Sequence, residues 1–278
     1  MVRGRFFFWT GLFAALFAAM ILTAPDALPQ DRSRPTAAAP LIDVIATTLR
    51  ARLLDGSALE GQALVGAVLT VVVGGRMLKV RIAAIELDPR DPRGEVFLYD
   101  FRVIAENGSE QSLCLPDPDG RRLGLPIAGR SDSAGILVST DTNSFELLCT
   151  AGAQGKCVRF GYAPWRQAPD GRPMRDWYNA CVRAMRGDYC GDGRPYTRTG
   201  TWIDLYDRIG VQQSDGDPSL SFEAAWGPEG AICVARTRIP EIIGLDGLAQ
   251  ICPRLAGRLG PAACDQHAIG GLIINRSH

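Results

Sequence analysis

Eight cysteines constrain this chain more than any other feature because of where they stand. None occurs in the first 113 residues, and all follow an N-terminal stretch with the marks of an export signal. Disulfides persist in oxidising compartments and are rare in the cytosol. Cys114, Cys149, Cys157, Cys181, Cys190, Cys233, Cys252 and Cys264 are therefore expected to form up to four disulfides outside the cytoplasm. Eight cysteines allow on the order of a hundred connectivities, so sequence alone leaves the map open. Short loops favour Cys149 with Cys157, Cys252 with Cys264, and Cys181 with Cys190, which leaves Cys114 and Cys233. Zinc chemistry is disfavoured, because no C-x-x-C pair is present and the spacing fits no familiar zinc site.

Arg3 and Arg5 precede an uncharged run of 17 residues, Phe6 to Leu22, broken only by Thr10 and Gly11. A positive start before an apolar stretch marks translocation. The run is long for a cleaved signal and short for a membrane span, which needs about 20 apolar residues. Residues 1–24 are thus a signal peptide or an N-terminal anchor, with membrane contact only through residues 6–22 if they are uncleaved. Residues 25–40 are rich in Pro and Ala without apolar periodicity and read as a linker. Loss of Arg3 and Arg5 takes the 30 basic residues to 28 against 30 acidic, a net charge of −2. That balance offers nothing to nucleic acid. Lys79 and Lys156 are the only lysines, and arginine-, alanine- and glycine-rich usage of this kind points to a bacterial source.

Apolar residues Ile42, Ile45, Leu49 and Leu53 recur at helical spacing and predict a helix over Leu41–Leu54. From Leu59 the texture changes to β-branched runs broken by glycine. Val68–Val73, Gly74-Gly75 and Met77–Ile85 form a hairpin signal. Glu95–Ile104 and Gln111–Leu115 flank Asn107-Gly108 as a second hairpin. Pro116 to Gly120 is a turn cluster, and Ser144–Thr150 and Lys156–Tyr162 read as further strands. Met174, Trp177, Tyr178, Cys181, Val182 and Met185 fall on one helical face, with Pro173 before them and Gly187 after. Thr201–Tyr206, Phe222–Trp226 and Ile232–Thr237 read as strands, and a short helix runs from Leu245 towards Pro253. The expected fold is α+β: a β-rich antiparallel sheet or small barrel with one clear helix and a disulfide-stapled C-terminal half. The organisation is a β-rich part at 41–160 and a Cys-rich part at 161–278, or one domain over 41–278.

Three stretches resemble the ADYC domain family: Ala180-Cys-Val-Arg-Ala-Met-Arg-Gly-Asp-Tyr-Cys-Gly-Asp-Gly193, Thr199-Gly-Thr-Trp-Ile-Asp-Leu-Tyr-Asp207, and Phe222-Glu-Ala-Ala-Trp-Gly-Pro-Glu-Gly-Ala-Ile-Cys233. The resemblance extends to Gly94–Tyr99, Lys156–Trp165 and Cys252–Gly260. One departure is visible, since Gly187 stands where the family has Ala before Asp-Tyr-Cys. The resemblance implies an exported bacterial protein and brings no activity with it.

Chemistry must therefore be read from the residues. His267 and His278 are the only histidines, and G-x-S-x-G, H-E-x-x-H and P-loop motifs are missing. Asp188, Asp192, Asp204, Asp207 and Glu223 lie in the family-like stretches. Asp192, Asp204, Asp207 and Glu223 are candidate acid, base or nucleophile groups for a glycosidase-like hydrolase. Asp192, Asp204 and Asp207 are candidate Ca²⁺ ligands, without EF-hand spacing. Alternatively they hydrogen-bond backbone amides in glycine-rich turns. Among aromatics, Tyr162 and Trp165 are the pair expected at the surface, while Trp177, Trp202 and Trp226 are expected in the core. The reading favoured is an exported, disulfide-stabilised binding or structural module of the cell envelope or medium, met by an envelope protein or glycan and showing no catalytic constellation. A carboxylate-dependent hydrolase or a membrane-anchored accessory subunit is the alternative.

Overall fold

The computed structural model describes residues 41–278 apart from positions 74, 143 and 269; the export segment and linker expected within 1–40 lie outside the described residues. Leu41–Leu54 is a hairpin, not the expected helix: β1 (Leu41–Ile45) pairs antiparallel with β2 (Thr48–Arg52). Val44 and Leu49 sit opposite each other and are both buried, so the apolar spacing serves two strands that meet at Ala46-Thr47. Thr47 and Thr48 favour extended backbone, as β-branched residues do. The buried Thr47 hydroxyl donates to the Glu95 carbonyl (2.8 Å) and accepts from the Phe97 N–H (2.7 Å), tying the hairpin tip to a strand fifty residues away. β3 (Ala58–Glu60) completes a three-stranded sheet beside β2.

The glycine-broken runs fold as the sequence predicts. β4 (Val68–Val73) pairs antiparallel with β5 (Arg76–Leu87), with Val73 opposite Arg76. β6 (Phe97–Ile104) turns near Gly108, whose φ is 80°, into β7 (Glu110–Ser112). β8 (Gly124–Ala128), the small pair β9 (Arg130–Ser131) and β10 (Leu137–Ser139), and β11 (Phe145–Cys149) follow. The main sheet runs β11-β8-β6-β5-β4, with β7 also on β6, and every pairing is antiparallel. Leu69, Val80, Ile82, Tyr99 and Phe101 bury one face of it against Val44 and Leu49. Tyr99 and Phe101, two apart on β6, point the same way and stack at 5.2 Å.

Lys156–Tyr162, expected as a strand, belongs mostly to α1 (Ala153–Arg159). Short apolar runs are ambiguous between the two states. Here Gly155 decides locally, because it lets the helix close on the end of β11; a Cβ there would run into the Cys149 carbonyl. α2 (Met174–Arg186) buries the predicted face and stops at Gly187 in the left-handed region (φ 60°). β12 (Ile203–Asp207), β13 (Ser221–Gly227), β14 (Gly230–Val234), α3 (Leu245–Ile251) and β15 (Ile273–Ser277) complete the chain. Their sheet runs β12-β15-β13-β14, so the last strand sits inside it, and α2 packs across β13 and β15. Trp177 and Trp226 share that core.

The cysteines pair Cys114–Cys149, Cys157–Cys181, Cys190–Cys252 and Cys233–Cys264, with Cα separations of 5.3 to 5.9 Å. None of the three short-range pairs favoured by loop length forms. The reason is element geometry: Cys157, on a helix, is buried against α2 and reaches Cys181 within it, which leaves Cys149 to the segment after β7. Cys190, beyond the end of α2, then meets Cys252 at the end of α3. Among the described residues the architecture is α+β, built on antiparallel sheets with three α-helices, and four disulfides lie beyond residue 113. No described helix is long and apolar enough to cross a membrane.

Candidate ligand cleft

The acidic residues singled out by sequence have separate surroundings. Asp188 is buried, ion-paired with Arg183, and accepts from the Gly191 and Gly193 N–H groups at 3.0 Å. It shapes the loop in which Gly191 takes φ 78° against the Glu229 backbone. Tyr189 points the other way, donating to Glu223 at 2.8 Å while its ring stacks on Trp226 at 5.2 Å. Burial first, and the Glu223 charge second, push the Tyr189 phenol far above its ordinary range. Glu223 also receives Arg238 (2.9 Å) and the Asn275 amide (2.7 Å), and the Glu223 and Arg238 side chains are wholly buried.

Asp192 is exposed and accepts from the Arg194 N–H at 2.9 Å. Asp204 is buried and holds Ser214 Oγ (2.5 Å) and the Asp215 N–H (3.3 Å). Asp207 accepts from the amides of Ile209, Gly210, Val211 and Gln212 and from the Tyr162 hydroxyl. Asp204 and Asp207 stand three apart on β12 and so face opposite sides of the sheet. Glu223 shares no hydrogen-bonding partner with Asp192, Asp204 or Asp207. Among the described residues, no group of three or more His, Cys, Asp or Glu side chains is placed to hold a metal ion.

A further buried set escaped the sequence reading. Arg159 of α1 reaches Asp88 (2.6 Å) and Asp117 (3.4 Å), and Asp117 also accepts from Thr150 Oγ1 at 3.0 Å. Both aspartates precede a proline in turn clusters, the one signal that could have drawn attention to them. These bonds clamp two loops to a helix.

One cleft, of about 330 Å³, opens beside the first hairpin and the loop after α1. Its lining includes Val44, Ile45 and Ala46 of the hairpin, Pro164 and Trp165 of the loop, and Thr140 and Thr142. Of the aromatic expectations, Trp177 and Trp226 are core as predicted. Trp202 is not, being 61% exposed, and Tyr162 is fully buried because Asp207 takes its hydroxyl. Trp165 is half-buried and lines the cleft. Its indole N–H donates to Glu95 at 3.2 Å, and Arg166 pairs with the same carboxylate. The Arg166 guanidinium, opposed by partial burial and aided by the indole, holds Glu95 below the usual carboxylate range. The Arg166 carbonyl accepts from the Met174 N–H at 2.9 Å, which anchors the loop to the start of α2. Opposite, Ala46 has a φ of 54° and is the one non-glycine among the described residues in the left-handed region. Such backbone costs about 1–3 kcal/mol and clusters at functional sites.

The fold and its buried polar anchors define a disulfide-stapled, β-rich α+β module. The chain belongs to the ADYC domain family, whose model matches residues 61–240. Neither a curated protein nor a solved structure matches it. The Asp188-Tyr189-Cys190 triplet now has a physical reading: its three side chains fasten one loop to Arg183, to Glu223 and to Cys252.

Proposed function

We propose that this protein is an exported, disulfide-stabilised binding module of the bacterial envelope or medium, and that its cleft at Trp165 receives a stretch of neutral glycan. The carrying observation is that a fixed, half-exposed indole faces an open cleft while the candidate carboxylates are engaged in shaping loops. Volume supports the reading, since about 330 Å³ lies at the low end of the roughly 300–1,000 Å³ typical of ligand sites. So does charge: Arg166 and Glu95 neutralise each other beside Trp165, and Thr140 and Thr142 offer uncharged hydroxyls. An indole face paired with neutral donors and acceptors suits a sugar ring better than an ion. Export is supported by Arg3, Arg5 and the apolar run Phe6–Leu22, together with four disulfides of the kind kept in oxidising compartments.

The test is a tryptophan-fluorescence titration of the full chain, recovered from the periplasmic fraction or medium, with maltotetraose, cellotetraose and chitotetraose. Saturable change with at least one oligosaccharide is expected, and Trp165→Ala should weaken it at least tenfold with an unchanged circular dichroism spectrum. Failure of all three to bind, or equal affinity in the variant, sinks the glycan assignment.

A further inference from the structure

We propose that the protein forms a two-fold dimer by pairing β4 antiparallel with β4 of a second copy, joining the two main sheets edge to edge. This inference is independent of the cleft. β4 ends the sheet order and pairs only with β5 among the described residues. Val73 sits opposite Arg76, and beyond the strand Ile82 N–H donates to the Ala67 carbonyl at 2.9 Å. Antiparallel alternation then turns the backbone groups of Leu69, Val71 and Val73 towards β5 and those of Val68, Thr70 and Val72 outward. No described residue bonds to these outward groups.

Natural edge strands are guarded by charge, proline, a bulge or a covering segment. β4 reads Val-Leu-Thr-Val-Val-Val, and its register with β5 is unbroken. The outward-facing Val68 is 51% and Val72 70% exposed, and Met77, opposite Val72, is 78% exposed. The chemistry that satisfies such an edge is another extended strand, and this one fits itself. A two-fold axis through Thr70 sets it opposite the partner's Thr70 and sets Val68 opposite the partner's Val72. Every outward N–H and C=O of these three residues then finds a mate, and the side-chain pairs are Thr with Thr and Val with Val, both favourable across strands.

No charge falls in the seam. The nearest unpaired cation at the axis is Lys79, opposite Thr70 on β5. Its counterpart lies three strand spacings away, about 14 Å at ~4.8 Å each, beyond the screening length of about 8 Å at physiological salt. Arg81, opposite Val68, is neutralised by Glu110.

Sedimentation velocity of the full chain over a hundredfold concentration range is the test. A concentration-dependent dimer is expected. Thr70→Lys, at an exposed position, places two ammonium groups face to face on the axis and should raise the dissociation constant at least tenfold. Val138→Lys, also at an exposed position but away from β4, should leave it unchanged. A monomer throughout the range, or a Thr70→Lys protein as dimeric as the parent, overturns the proposal.

Discussion

Glu223 and Arg238 show what a single residue does here. Both side chains are withdrawn from water, and each is the other's counter-charge, with Tyr189 and Asn275 filling the remaining positions on the carboxylate. Removing one partner of such a pair strands a buried charge, at a cost of about 3–5 kcal/mol. Arg238→Ala should therefore lower unfolding stability in urea by that amount. Asp192→Asn, which disturbs one exposed amide contact, should stay within about 0.5 kcal/mol. Similar losses for both would show that the Glu223 network does not anchor the fold. The difference was hidden in the sequence because both acids lie in motif-like stretches. What separates them is the set of partners, 15 and 52 positions from Glu223, which only the folded sheet brings near.

At the scale of the element, the first hairpin owes its register partly to charge. Asp43 sits opposite Arg50 and accepts from it at 2.8 and 3.1 Å, while Arg52 adds a bond at 3.0 Å. These bonds, Arg50 foremost and against the effect of burial, hold the Asp43 carboxyl below its ordinary value. A depressed carboxyl stabilises above its unfolded pKa of about 3.9 and loses that contribution as pH falls through the folded value. Thermal midpoints of the parent should thus fall more steeply than those of Asp43→Asn between about pH 5 and pH 2; parallel curves would remove Asp43 from acid unfolding. This hairpin also marks where pattern reading fails. Ile42, Ile45, Leu49 and Leu53 satisfy a helical period, yet a positive φ at Ala46 and the long-range bonds of Thr47 select two strands. One side of the cleft was invisible for that reason, whereas Trp165, in a loop leading to the legible α2, stood out. α2 and the β4-β5 pair were readable because several local signals agreed: periodicity with Pro173 and Gly187 in one, β-branched runs around two glycines in the other. β15 was not, since a short apolar run after Gly270-Gly271 gains its place only from β12 and β13 on either side.

For the whole molecule the question is what the disulfides add to a core that already exists. A chain of this size can bury enough apolar surface to fold without cross-links, and the two main clusters here are built largely from aromatic and aliphatic side chains. Three of the four bridges join segments the sheets do not: α1 to α2, the loop after α2 to the end of α3, and β14 to the segment leading into β15. Cys157–Cys181 closes a separation of 24 residues, which on the chain-entropy account is worth about 3 kcal/mol. Replacing both cysteines by Ala should leave a cooperatively folded protein whose melting midpoint drops by about 6–12 °C, at roughly 2–4 °C per kcal/mol for a domain of this size. Loss of the cooperative transition at all temperatures would mean that the bridge stands in for packing between the helices. Folding would then depend on an oxidising compartment, because disulfides do not persist in a reducing cytosol.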